Sequence, residues 1–338
     1  MIKKVVVKKI MSDEEVSQLE GKWIEESHIK HPIIRSNTDV YRLDDDGNEI
    51  LLLKFRKRVI SDKLIDIGWK SYKDLAKASR GRGASAGPIN SDSQYWSKRN
   101  LVKTKKWSTG YLTPKGNLLK EELDKLSIDD LKQRYIQEVK ELSDNFDREE
   151  ITNEIIKKNN GISKMKVNNQ VASNPIGFYE ESKNFANLPC RLTHFTRTNY
   201  QKYNDGLKFI QRIDTLFKKL IPDAHEKQLT RANTKPHLKI PKTSFSTITI
   251  NRNFRTALHK DAGDFKDGFG NLTVIERGKY HGGYTVFPQF GIGVNIRNND
   301  FCAMDVHQWH SNTPIYETKE DKIYNDTLEP VFKDNPEV

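Results

Sequence analysis

His259-Lys260-Asp261 sets an imidazole and a carboxylate at i and i+2, and on a β-strand those two side chains leave the same face. Side by side they can hold one metal ion. A third donor comes from Phe301 to Pro314, FCAMDVHQWHSNTP, which carries His307 and His310 at what reads as the end of another strand. Two histidines and one aspartate on a common face form the facial triad of non-haem iron(II) sites, which leaves other coordination positions open for a co-substrate and O₂. His310 is the expected third ligand, because Ser311-Asn312-Thr313-Pro314 marks a strand terminus where a ligand can lean into a barrel mouth. His307 is then expected to orient a neighbour.

The elements that must position these residues are partly legible. A capping box, Ser12 with Glu15, followed by Val16, Leu19, Trp23 and Ile24, predicts an opening helix of about four turns. Asp45-Asp46-Gly47-Asn48 predicts a hairpin between Val40–Leu43 and Ile50–Phe55. Residues 80–90, RGRGASAGPIN, read as a loop. From Tyr95 to Trp107 aromatic residues alternate with Lys98, Arg99, Lys103, Lys105 and Lys106, a mixture suited to a phosphate backbone and base stacking. Ser127 and Asp130 open a charged helix, and Lys157 to Asn169 is the best linker candidate. Beyond it, 188–196 and 243–250 read as strands flanking a helix over 200–220. Short β-rich runs follow at 274–275, 285–287, 291–296 and 301–306, as in a sandwich or barrel. No alternating βα rhythm is present, which argues against Rossmann and TIM architectures. The expected division is a mixed α/β region with a basic loop over 1–115, a charged helical segment and linker over 116–165, and a catalytic domain over 166–338.

The chain has 338 residues, 35% hydrophobic and 30% charged, with a net charge of +11. Its mean hydropathy is −0.76 and its pI about 9.3. Such a balance fits a polyanionic partner, or a basic surface that serves solubility. Cys190 and Cys302 are too few for a disulfide framework, and no apolar run is long enough to cross a membrane, so an intracellular protein of the cytoplasm or nucleus is expected. Abundant lysine and asparagine suggest an AT-rich genome, such as that of a large virus.

Four stretches resemble the oxygenase domain of the TET/base-J-binding-protein family: LPCRLTHFT at 188–196, NRNFRTALHKDAGD at 251–264, GGYTVFPQFGIGVNI at 282–296 and FCAMDVHQWHSNTPI at 301–315. The resemblance implies an α+β protein with a double-stranded β-helix (jelly-roll) core, flanking helices and a mixed N-terminal region. It implies an iron(II)- and 2-oxoglutarate-dependent dioxygenase that uses O₂ to hydroxylate the methyl group of thymine or 5-methylcytosine in nucleic acid, DNA in the first instance. By the same resemblance His259, Asp261 and His310 are the iron ligands, and Asp264 and Arg255 meet the substrate. Asn251 and Asn253 lie near the co-substrate. The family places an Arg after the distal His to grip the far carboxylate of 2-oxoglutarate, and none follows His310 here. Lys319, Lys322 or Arg297 could substitute, or the chain lacks a closing strand; the last is the expectation, and with it weak 2-oxoglutarate binding. The alternatives are a protein hydroxylase of the same class and an inactive nucleic-acid-binding relative.

Overall fold

A computed structural model describes residues 2–75, 77–79, 82–88, 125, 127, 130, 169–179, 191–261 and 263–328. Residues 1–78 and 172–338 make one compact unit, and 79–171 a second. The basic aromatic run of 95–107, Cys190 and most of the expected charged helix and linker lie outside the described residues.

The first unit mixes helix and sheet. Its largest sheet has five strands: β1 (Lys3–Val7), β2 (Thr38–Leu43), β3 (Glu49–Arg56), then β11 (Phe301–Met304) and β7 (Gly270–Leu272). The β2–β3 hairpin is the one expected from its Asp-Gly turn, and β3 pairs antiparallel with β11 through Arg56–Phe301 to Leu53–Met304. A smaller antiparallel sheet runs β10 (Ile292–Val294), β9 (Thr285–Phe287), β12 (Ser311–Asn312). Strand β11 explains why the two sheets face one another. Cys302 and Met304 leave one face and pack with Leu53, Phe55, Phe287, Ile292 and Val294. Phe301 and Ala303 leave the other and pack with the helices. A strand buried on both faces shows no polar alternation, which is why FCAM reads as a continuous apolar run. Inside that core burial pushes the Cys302 thiol up to about 12, so it acts as a small apolar filler.

The helical face is built from α2 (Asp62–Tyr72), α4 (Tyr200–Leu220) and α5 (Pro222–Asn233). The spacing of Leu207, Ile210, Ile213, Phe217 and Leu220 anticipated α4 to the residue. Elsewhere the structure differs. The opening helix stops after one turn, α1 (Asp13–Ser17), because Gly21 takes a left-handed φ of 70° and turns the chain onto Leu258. Among the described residues of 188–196, β5 (Arg191–Leu192) is strand, and His194–Thr198 is a helical turn, α3. Of 243–250, the front is a turn tied to α4, where Ser244 donates from both N and Oγ to buried Asp214 Oδ1 at 2.7 Å. The strand itself, β6, is Thr247–Asn251.

β6 leads into the metal motif, and it pairs with β4 (Val171–Tyr179) from Gly177–Thr247 to Ser173–Asn251. Gly177 is where that pairing is closest. Its φ is 108°, and a Cβ there would lie 2.3 Å from the Ser246 carbonyl oxygen. Its N–H donates to Thr196 Oγ1 at 2.9 Å and its carbonyl accepts from Thr193 N at 3.0 Å. In the second unit a single turn of 3₁₀ helix, Gly83–Ala86, presents the Ala86 carbonyl to Asn169 Nδ2 at 2.7 Å. The prediction from this architecture is that Gly177→Ala, strained in φ and blocked by backbone, costs about 2 kcal/mol or more in urea unfolding. A cost below about 0.5 kcal/mol, the range of an ordinary surface change, would contradict it.

Candidate metal centre

His259 follows the irregular stretch after β6, and His310 immediately precedes β12. Their backbones form an isolated antiparallel bridge, with His259 N to His310 O and His310 N to His259 O both 3.0 Å. Residues so opposed in an antiparallel pair project to the same side. The two rings therefore meet, with centroids 4.4 Å apart. Asp261 N extends the contact by donating to Val306 O at 3.0 Å. Its carboxylate lies 3.5 Å from His259 Nε2 and 3.7 Å from His310 Nε2. One ligand atom from each of the three falls within 4.8 Å of the others, the one such group of three among the described residues.

Each ring is fixed from behind. His259 Nδ1 lies 2.8 Å from the Ala257 carbonyl and His310 Nδ1 lies 2.9 Å from the Gln308 carbonyl. A carbonyl can only accept, so Nδ1 carries the proton in both rings and Nε2 keeps its lone pair toward Asp261. Metal-binding histidines are held in this manner. Two imidazole nitrogens and one carboxylate also match the donor set that iron(II) takes with open positions. The residues present thus fit the group.

Sequence reasoning missed what sets the Gln308 carbonyl. Asp305 accepts from His307 N at 3.1 Å and from Gln308 Nε2 at 3.1 Å, closing the turn between β11 and His310. An Asp two residues before a backbone N–H it can cap is the available signal. His307 Nε2 meets the Phe265 carbonyl at 3.2 Å, so it ties down the segment after Asp261 rather than joining the triad. Asp264 sits exposed on that segment.

The remaining expected residues are not brought to the triad. Asn251 accepts from Ser173 Oγ at 2.6 Å at the end of β6, and Asn253 is exposed with φ 44°. Arg255 donates to Ile24 O at 2.8 Å and to Glu25 at 2.7 Å. Arg297 donates to Gly282 O at 2.8 Å and packs over Tyr280 and Tyr284, whereas the His310 ring neighbours Phe287, on the other face of β9. Lys319 and Lys322 are exposed on α6 (Lys319–Asn325), a helix capped by Thr318 and Asp321.

His310 is only 5% exposed. Burial first, and the His259 ring second, push its imidazole down from 6.5 to about 4. The ring is then neutral near pH 7 and ready to donate its lone pair. Between about 4 and 6.5 the unfolded chain binds a proton that the folded chain refuses, so stability is full above 6.5 and falls as pH drops through that window. The loss is about 3 kcal/mol. Urea unfolding of the metal-free chain against pH, beside His310→Asn, should show this slope in the parent alone. Equal slopes would contradict it.

Residues 174–327 match the model of a family described as the oxygenase domain of the 2OGFeDO superfamily, Tet_JBP. Among curated proteins, the chain is 33% identical over 140 residues to the bifunctional helicase and thymine dioxygenase JBP2 of Leishmania braziliensis, covering 41% of this chain and 12% of that protein. It is 32% identical over 156 residues to the thymine dioxygenase JBP1 of Trypanosoma brucei brucei, covering 46% and 18%. The match therefore spans less than a fifth of either relative. A solved structure described as NgTET1 in complex with 5mC DNA aligns over 91% of this chain and 87% of that one, at 10% identity and a TM-score of 0.40, too slight a likeness to argue from. The metal motif, the glycine-bearing strands and the distal histidine all lie inside the matched span, and over residues 174–327 the chain resembles the oxygenase domain of the TET/JBP family.

Proposed function

We propose that the chain is an iron(II)- and 2-oxoglutarate-dependent dioxygenase that hydroxylates the methyl group of thymine or 5-methylcytosine in DNA. The observation that carries this reading is the triad of His259, Asp261 and His310, assembled across one backbone bridge within a span that matches an oxygenase family. Two facing sheets with a shared apolar core support a jelly-roll architecture for residues 166–338, with β1 to β3 contributed from the front. The curated relatives are thymine dioxygenases, which favours a pyrimidine methyl group over a protein side chain.

When bound, iron(II) with 2-oxoglutarate and O₂ supplies oxidative decarboxylation to succinate coupled to insertion of one oxygen atom into a C–H bond. The chain's own residues prepare for this. His259 and His310 would hold the metal through Nε2, and Asp261 would add the negative charge that two neutral imidazoles lack. The carbonyls of Ala257 and Gln308 keep both rings in the donating tautomer. Burial of His310 among apolar residues excludes water from one side, while Asp261, half-exposed, leaves the other side open to substrate. A base stacked in a duplex cannot reach so recessed a site, so the target nucleotide must be turned out of the helix.

Anaerobic iron(II) titration tests the assignment. His259→Ala, Asp261→Ala and His310→Ala should each lower affinity by about 100-fold or more, Asp305→Ala by about tenfold through the loosened turn, and His307→Ala little. Succinate release from 2-oxoglutarate should rise when thymine-containing DNA is added. If His307→Ala abolishes iron binding while His310→Ala spares it, the triad is misassigned.

A further inference from the structure

A row of cations and indoles borders the metal motif outside the triad. Gly21 N donates to Leu258 O at 2.8 Å and Leu258 N to Lys22 O at 3.0 Å, so residues 21–22 are bonded to the residue just before His259. Two residues further on, the Arg255 guanidinium donates to Ile24 O at 2.8 Å. Trp23, between them in the chain, is 37% exposed, with the Arg255 guanidinium 5.0 Å from its ring centroid. Exposed Lys260, between His259 and Asp261 in the chain, places Nζ 4.8 Å from the Trp309 ring. Lys22 and Lys266 are also exposed.

Packing accounts for only part of this. Ile24, Leu258, Tyr284, Val286 and Trp309 form the local apolar core, and Trp309 is buried in it. Trp23 is not a member. It holds much of its ring in water while a cation fixes its orientation, which is an arrangement suited to receiving a flat partner. Glu25 is paired with Arg255 at 2.7 Å, and Asp13, within electrostatic reach of Lys260, is itself held by Lys9 at 2.9 Å.

We propose that Lys22, Trp23, Arg255 and Lys260 form the contact surface for a nucleic-acid strand entering the metal site. Lys22 and Lys260 take phosphates on either side of the target, and Trp23, held by Arg255, stacks on a base beside the one turned out. This rests on the reading that the substrate is nucleic acid. It adds where the strand lies and which residues grip it.

Fluorescence anisotropy of a labelled thymine-containing duplex against the whole chain, at several salt concentrations, tests it. Trp23→Ala should weaken binding by about tenfold or more while Trp23→Phe keeps most of it. Lys22→Gln and Lys260→Gln should each reduce the slope of log affinity against log salt by about one. Lys22 and Lys260 are exposed, and Gln keeps most of the side-chain length, so these variants report even if Trp23→Ala fails to fold. Parent-like affinity in Trp23→Ala with unchanged slopes in both lysine variants would overturn the surface and leave nucleic acid as the substrate. No binding by the parent at any salt would overturn both.

Discussion

Two backbone hydrogen bonds of 3.0 Å between His259 and His310 are the constraint on which the site depends. They hold opposed residues of an antiparallel pair, and the geometry of that pair sends both imidazoles to one side without any contribution from metal. Each ring would otherwise need its own support against the repulsion of bringing two donors together. Here the support is shared with the fold. The Asp261 backbone continues the same contact onto Val306, the preceding Asp305 N bonds Leu52 O of β3, and the Asp305 turn sets the carbonyl that fixes His310. The site is thus an extension of the backbone pairing that leads into β12.

Local chemistry in the sequence revealed much of this and long-range chemistry little. The hairpin over 38–56 was legible because its turn residues are adjacent, and α4 because one apolar stripe, Leu207 to Leu220, runs through about four turns. H-x-D and His310 stood out by their donor types, but the strand argument did not hold: His259 lies in an isolated bridge, and His310 comes six residues after β11 ends and just before β12. The residues assigned to substrate and co-substrate by resemblance were a different matter. Arg255 and Asn251 have partners at Ile24, Glu25 and Ser173, far away in the chain, and nothing in a local pattern announces such pairings. Strands of two or three residues, β5, β7 and β12 among them, carry too few side chains to show a period.

The front of the chain has a further part in the design. Residues 21–24 are tied to Leu258 and Arg255, so a segment that sequence alone reads as an amphipathic helix instead lies beside the metal motif. Its left-handed glycine makes the change possible, and the apolar residues that suggested helix, Val16 and Ile24, bury against Leu258 and Trp309. Apolar spacing marked Val16 and Ile24, which are buried, but also Trp23, which the turn after Gly21 leaves exposed.

The most direct measurement of the central claim is anomalous diffraction at the iron edge from crystals of the chain loaded anaerobically with iron(II). The account predicts one strong peak bonded to Nε2 of His259, Nε2 of His310 and the carboxylate of Asp261, with the reciprocal backbone bridge intact. A peak bound through His307, or at the His281–Asp321 pair that lies 3.1 Å apart on β8 (His281–Gly282) and α6, would contradict it.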